Sequence, residues 1–174
     1  EHPDTKIHVI DSLSAGGEVD LLVRKLNHLI TEGLDFDQVV DAITAYQSKT
    51  KLLFVLAKVD NLVKNGRLSK LVGTVVGLLN IRMVGEASKT GTLELLQKAR
   101  GQKKAIKAAF DELIKASYTG GHITIAHRNN DKFIEQFSAL VREKFAQASI
   151  EVLPTSGLCS FYAEEGGLLM GYEI

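Results

Sequence analysis

The sequence predicts an α/β (α+β) fold built on a mixed, largely antiparallel sheet of about six strands flanked by helices. Three observations predict it. Short apolar runs of strand length alternate along the chain with longer segments whose apolar residues recur every three or four positions. Ile81 to Gly85 and Thr92 to Lys98 flank the turn Lys89-Thr90-Gly91, which reads as a hairpin and forces antiparallel neighbours into the sheet. No internal repeat and no low-complexity segment breaks the alternation.

The elements follow in order. Ile7 to Ile10 reads as a short strand ending at Asp11-Ser12. Val19, Leu22, Val23, Leu26, Leu29 and Ile30 share one helical face, and Gly33 stops that helix. Asp35 caps the next helix, with Gln38 completing a capping box and Val39, Val40 and Ile43 on its buried face. Leu52 to Ala57 is continuously apolar, the mark of a central strand. Val59, Leu62 and Val63 precede Asn65-Gly66, a turn or helix end, and Leu68 to Leu79 reads as a glycine-bearing packed helix. After the hairpin, Lys103 to Lys115 is helical with Ala105, Ile106, Ala109, Phe110 and Leu113 on one face; Gly120-Gly121 ends it. His122 to Ala126 is a strand, Phe133 to Phe145 a helix, and Ile150 to Leu153 a strand stopped by Pro154. Leu158 to Ala163 is a short helix or turn, and Leu168 to Ile174 the last strand.

Composition narrows the function. Hydrophobic residues make 45% and charged residues 24%, the balance of a folded chain. The single cysteine, Cys159, excludes an internal disulfide and a cysteine-based zinc site, and fits a reducing compartment. No apolar run reaches the roughly 18 residues of a membrane span. No basic, apolar leader opens the chain, so the expected location is cytoplasmic. The formal net charge is zero, but residues 61–110 hold ten Lys or Arg against two acids. Such a local positive field steers an anionic ligand or an acidic partner. Nucleic acid is not the expected partner, because no aromatic interleaves these cations before Phe110.

No glycine-rich phosphate loop is present, and no His, Asp or Glu cluster spells a metal site. Cys159 sits beside Phe161 in apolar surroundings and reads as packing; Glu164-Glu165 reads as a solvated pair. Three features stand out. Asn65-Gly66-Arg67-Leu68-Ser69 puts Arg67 at a helix start, where the dipole disfavours a cation, so Arg67 serves either an anion or a nearby acid. Arg100-Gly101-Gln102-Lys103-Lys104 is a basic knot at a strand-to-helix turn. Gly166-Gly167-Leu168 to Gly171-Tyr172 sets glycines among large apolar residues, which marks close approach by a strand or a ligand.

These segments together resemble the DegV family of bacterial fatty-acid-binding proteins. Ile10-Asp11-Ser12 resembles that family's strand-end "DS"; Asp60 to Ser69 its "xxL-x-x-x-GRIS" signature; Leu78 to Val84 its "LLxIKPI" strand; Lys98 to Ala105 its "VRxxKKA" turn; and Gly166 to Tyr172 its C-terminal glycine strand. The resemblance implies that residues 1–174 are a single C-terminal lobe. Residues 1–15 would be a linking strand belonging to the sheet of an N-terminal lobe that nothing in the sequence matches. It implies a long-chain fatty acid in an apolar tunnel, presented to a fatty acid kinase that forms an acyl phosphate for phospholipid synthesis. The chain would itself be no catalyst and would need no cofactor or metal. Carried over by position, Arg67, Tyr162, Ser12, Gly166 and Gly167 are the ligand-binding candidates. Arg100, Lys103 and Lys104 are the kinase-docking candidates. Tyr162 stands where the family has a histidine, and Met83 where it has a proline. A phenol donates one hydrogen bond and is neutral near pH 7, which alters head-group handling. The alternatives are a phosphotransferase subunit related to dihydroxyacetone kinase, which would need a nucleotide site, and a protein-interaction module using the basic face.

Overall fold

A computed structural model describes residues 5–68 and 80–174. Six strands and six helices are present among them, in the order α1 (Gly17–Thr31), α2 (Phe36–Gln47), β1 (Thr50–Leu56), α3 (Asp60–Lys64), β2 (Ile81–Ala87), β3 (Leu93–Arg100), α4 (Gln102–Lys115), β4 (His122–His127), α5 (Asp131–Lys144), β5 (Ser149–Pro154), α6 (Gly157–Ala163) and β6 (Leu168–Glu173). The helix expected over residues 68–79 lies, apart from Leu68, outside the described residues.

The strands form one sheet in the order β3-β2-β1-β6-β4-β5. Every pairing is antiparallel except β4 with β5, which are joined by α5 as a βαβ unit. The apolar run of β1 has its reason here. It is flanked on both edges by β2 and β6 and buried on both faces, so it cannot alternate with polar residues. Leu53 and Val55 point into the larger core, packed with Ala105, Ala109 and Leu113 of α4 and Phe133 and Phe137 of α5. Phe54 and Leu56 point to the opposite face, with Met83 of β2 and Ala163 of α6. A third cluster, Leu22, Leu29 and Ile43, joins α1 to α2. The capping box at Asp35 and Gln38 is present in full: Gln38 N–H donates to Asp35 at 2.9 Å, and Asp35 N–H to Gln38 Oε1 at 3.0 Å.

Helix α1 covers β6 and β4 on the second face, and it sits unusually deep. A Cβ on Gly17 would lie 2.7 Å from Gly171 N and collide with Thr124 O; one on Gly171 would strike the backbone of Gly17 and Glu18. The glycines at these positions let helix and sheet backbones touch. Glu18, buried at the first turn of α1, accepts from Thr50 Oγ1 at 2.8 Å and from Ser14 Oγ, so its carboxylate is held by hydroxyls and by the positive end of its own helix.

Ile7 to Ile10 is not a strand of this sheet: it has no regular structure, and Ile7 and Val9 are 79% and 81% exposed. A strand needs a partner to hydrogen-bond with, and none of the described residues supplies one.

Candidate functional site

The part of the second face that α1 leaves uncovered, over β1 and the β2–β3 hairpin, is a cavity of about 430 Å³. Leu52, Phe54 and Leu56 of β1 and Leu169 of β6 make its floor, with Ala87 and Leu93 at the hairpin end. Its wall is the loop Leu13–Ala15 and one side of α6, where Leu158, Cys159, Tyr162 and Ala163 share a helical face. The hairpin tip closes against that loop: a Cβ on Gly91 would lie 3.3 Å from Leu13 Cα. Gly91 also has φ +74, so the turn needs glycine twice over. Leu158 is 69% exposed, which marks the open side.

Arg67 lines this cavity and is the only charged residue among its described lining residues. A Schellman motif places it. Gly66, with φ +66, follows the C-cap of α3; its N–H donates to Val63 O at 3.1 Å, and Arg67 N–H donates to Leu62 O at 2.8 Å. Arg67 therefore follows the C-terminal end of α3, where the dipole favours a cation. The helix that Arg67 is expected to start lies in residues 69–79, outside the described residues. Among the described residues it forms no ion pair. The helix carrying it is tied to the opposite wall: Asn61 N–H donates to Glu164 Oε1 at 2.9 Å, and Asn61 Nδ2 to Phe161 O at 2.8 Å. Glu164 is thus no freely solvated acid but the cap of α3. Its φ of +54 is a strain that this contact helps to hold.

The structure brings Arg67 and Tyr162 together on one cavity and places the other ligand candidates elsewhere. Ser12 borders a neighbouring polar cleft with Glu86 and Thr90; its Oγ accepts from Ser14 N–H at 3.3 Å. Gly166 borders a third, polar cleft, and its N–H donates to Arg128 O at 2.9 Å. Gly167 packs so closely on Ala163 that a Cβ would collide with the Ala163 carbonyl. The glycines between α6 and β6 are there for the chain reversal. Arg100, Lys103 and Lys104 do form one exposed cluster, at the end of β3 and the first turn of α4, with no acid in that turn. Arg100 lies seven residues along β3 from Leu93 of the cavity, about 23 Å at strand spacing. The cavity's other contributors, Leu13, Ser14, Leu158 and Leu169, carried no sequence signal, because their proximity is wholly tertiary. Among the described residues no group of three or more His, Cys, Asp or Glu converges, and no helix is long and apolar enough to cross a membrane.

Residues 1–172 match the DegV family of uncharacterised proteins. A DegV domain-containing protein of Streptococcus pneumoniae is 78% identical over 174 residues, all of this chain and 62% of the relative's own length. The B3 protein of the Streptococcus pneumoniae fatty acid kinase, solved loaded with linoleic acid, superposes with a TM-score of 0.97 at 79% identity, covering 99% of this chain and 62% of that one. A DegV family protein of Eubacterium eligens loaded with heptadecanoic acid gives 0.95 at 37% identity, again covering 99% and 62%. The chain therefore spans under two thirds of the length of the relatives it matches. It belongs to the DegV family.

Proposed function

We propose that this chain is one lobe of a carrier that binds a long-chain fatty acid and presents its carboxylate to a fatty acid kinase in the bacterial cytoplasm. The observation that carries the reading is the apolar cavity with a single guanidinium on its wall. An acyl chain gains about 0.8 kcal/mol per buried methylene, while its carboxylate needs a cation with several donors. The volume fits. A cavity of about 150 Å³ holds one benzene ring, so one near 430 Å³ holds on the order of 17 carbons. Solved relatives loaded with linoleic and heptadecanoic acid support the same ligand class. In this reading Arg67 and Tyr162 face the head group. Ser12, Gly166 and Gly167 shape the backbone around the site rather than touch the ligand. The exposed Ile7 to Ile10 segment joins the sheet of the remainder of the protein. Arg100, Lys103 and Lys104 form a separate cationic patch for the kinase, and the carrier performs no chemistry itself.

The test is a reconstituted reaction. Delipidated carrier, a C16 or C18 fatty acid, ATP and a fatty acid kinase are expected to yield acyl phosphate. Arg100→Ala combined with Lys103→Ala and Lys104→Ala should slow that reaction several-fold and make it insensitive to salt, with bound fatty acid unchanged. Unaltered coupling would remove the docking assignment. A protein that takes up no fatty acid would remove the carrier reading.

A further inference from the structure

The floor of the cavity contains a feature that sheet packing alone does not require. Strand β2 presents Gly85 to this face, directly opposite Phe54 of β1 and Leu95 of β3. A Cβ on Gly85 would lie 2.8 Å from Phe54 Cε1 and would collide with Cζ and with Glu94 O, so the far end of the Phe54 ring lies where that side chain would stand. The β2–β3 register shifts at this point: Gly85 pairs with Leu95, but Val84 pairs with Gln97, leaving Leu96 as the extra residue of a bulge, 39% exposed. The bulge reverses the side-chain parity of β3. Leu93 and Leu95 pack on the cavity side with Phe54, whereas Ala99 joins the core under α4. Beyond Gly85 on the same face comes a second small residue, Ala87, which lines the cavity itself. A trough of small side chains in β2 thus receives the Phe54 ring and keeps it down on the sheet.

The geometry points to Phe54, seated on Gly85, and its neighbour Ala87 as the residues that fix how much acyl chain the cavity takes. The inference rests on the acyl-chain reading above and names its specificity determinants. Shrinking Phe54 opens the floor; enlarging Ala87 fills it. The two changes therefore act in opposite directions, which a general loosening of the protein cannot do.

The experiment is competitive loading of the delipidated full-length gene product with an equimolar series of saturated C12 to C20 fatty acids, read by native mass spectrometry. Phe54→Leu is expected to raise the C20-to-C16 ratio by about four-fold for each methylene newly accommodated. Ala87→Val should lower it. Leu53→Ala, which removes buried volume on the opposite face of the same strand, should weaken the fold and leave the ratio unchanged. Wild-type ratios in both cavity variants, or a shift in Leu53→Ala equal to that in Phe54→Leu, would overturn the assignment while leaving the carrier reading intact. Failure of the wild-type protein to load any chain would overturn both.

Discussion

Gly171→Val is expected to lose about 3 kcal/mol of stability or more, read as a lowered urea midpoint at constant slope. The reason is room and not backbone conformation. Gly171 is not among the glycines with positive φ, yet the backbone of α1 occupies the space where its side chain would go. No rotamer change relieves a collision with main-chain atoms, so α1 must lift off β6. That movement parts Glu18 from Thr50 of β1, so the hydrogen bond between them is lost. It also shifts the Leu13–Ala15 loop that precedes the helix and walls the cavity. The comparison is Gly33→Ala. Gly33 has φ +81 with open space around it, so only conformational strain is at stake, about 1 kcal/mol. Equal midpoints for the two variants would mean that α1 is not seated backbone to backbone on the sheet.

Arg67→Ala is expected to weaken binding of a long-chain fatty acid by about ten-fold or more. A charge-assisted hydrogen bond contributes roughly 1.5–3 kcal/mol, and Arg67 is exposed enough for solvent to screen part of it. Calorimetric titration separates this from cavity damage. A fatty alcohol of the same length has no charge for Arg67 to meet, so its affinity should hardly change. Arg67→Lys should recover part of the loss, because an ammonium keeps the charge but not the planar fork. Equal loss for acid and alcohol would show that Arg67 acts through packing.

Much of the fold was legible in the sequence because local rules and tertiary needs agree. The capping box at Asp35, the apolar run of β1 and the Lys89–Gly91 turn each have one physical meaning, and each element appears where that meaning puts it. Ile7 to Ile10, expected to belong to another lobe's sheet, has no regular structure and no partner among the described residues. Its pattern is that of a strand, but pattern does not supply a partner. The site was half legible. Arg67 and Tyr162, both named from the resemblance, line one cavity, and a Schellman turn after α3 places Arg67 there. Asn65-Gly66 carried that signal, since a glycine just past a helix is the mark of such a turn. Glu164 looked like a solvated acid because the N-terminus it caps is about 100 residues away in the chain. The bulge at Gly85 leaves no trace in composition. Leu95-Leu96 reads as two apolar residues in a strand, and only the register shows that one of them is extra.

The central claim is that an acyl chain lies on Leu52, Phe54 and Leu169 with its carboxylate at Arg67. A crystal structure of the protein loaded with a C18 fatty acid tests it most directly. The expected result is continuous acyl density on those three side chains and a carboxylate oxygen within 3.2 Å of an Arg67 guanidinium nitrogen, about the limit of a good N–H···O bond. Density for the chain on another face, or a carboxylate turned to solvent away from Arg67, would contradict it.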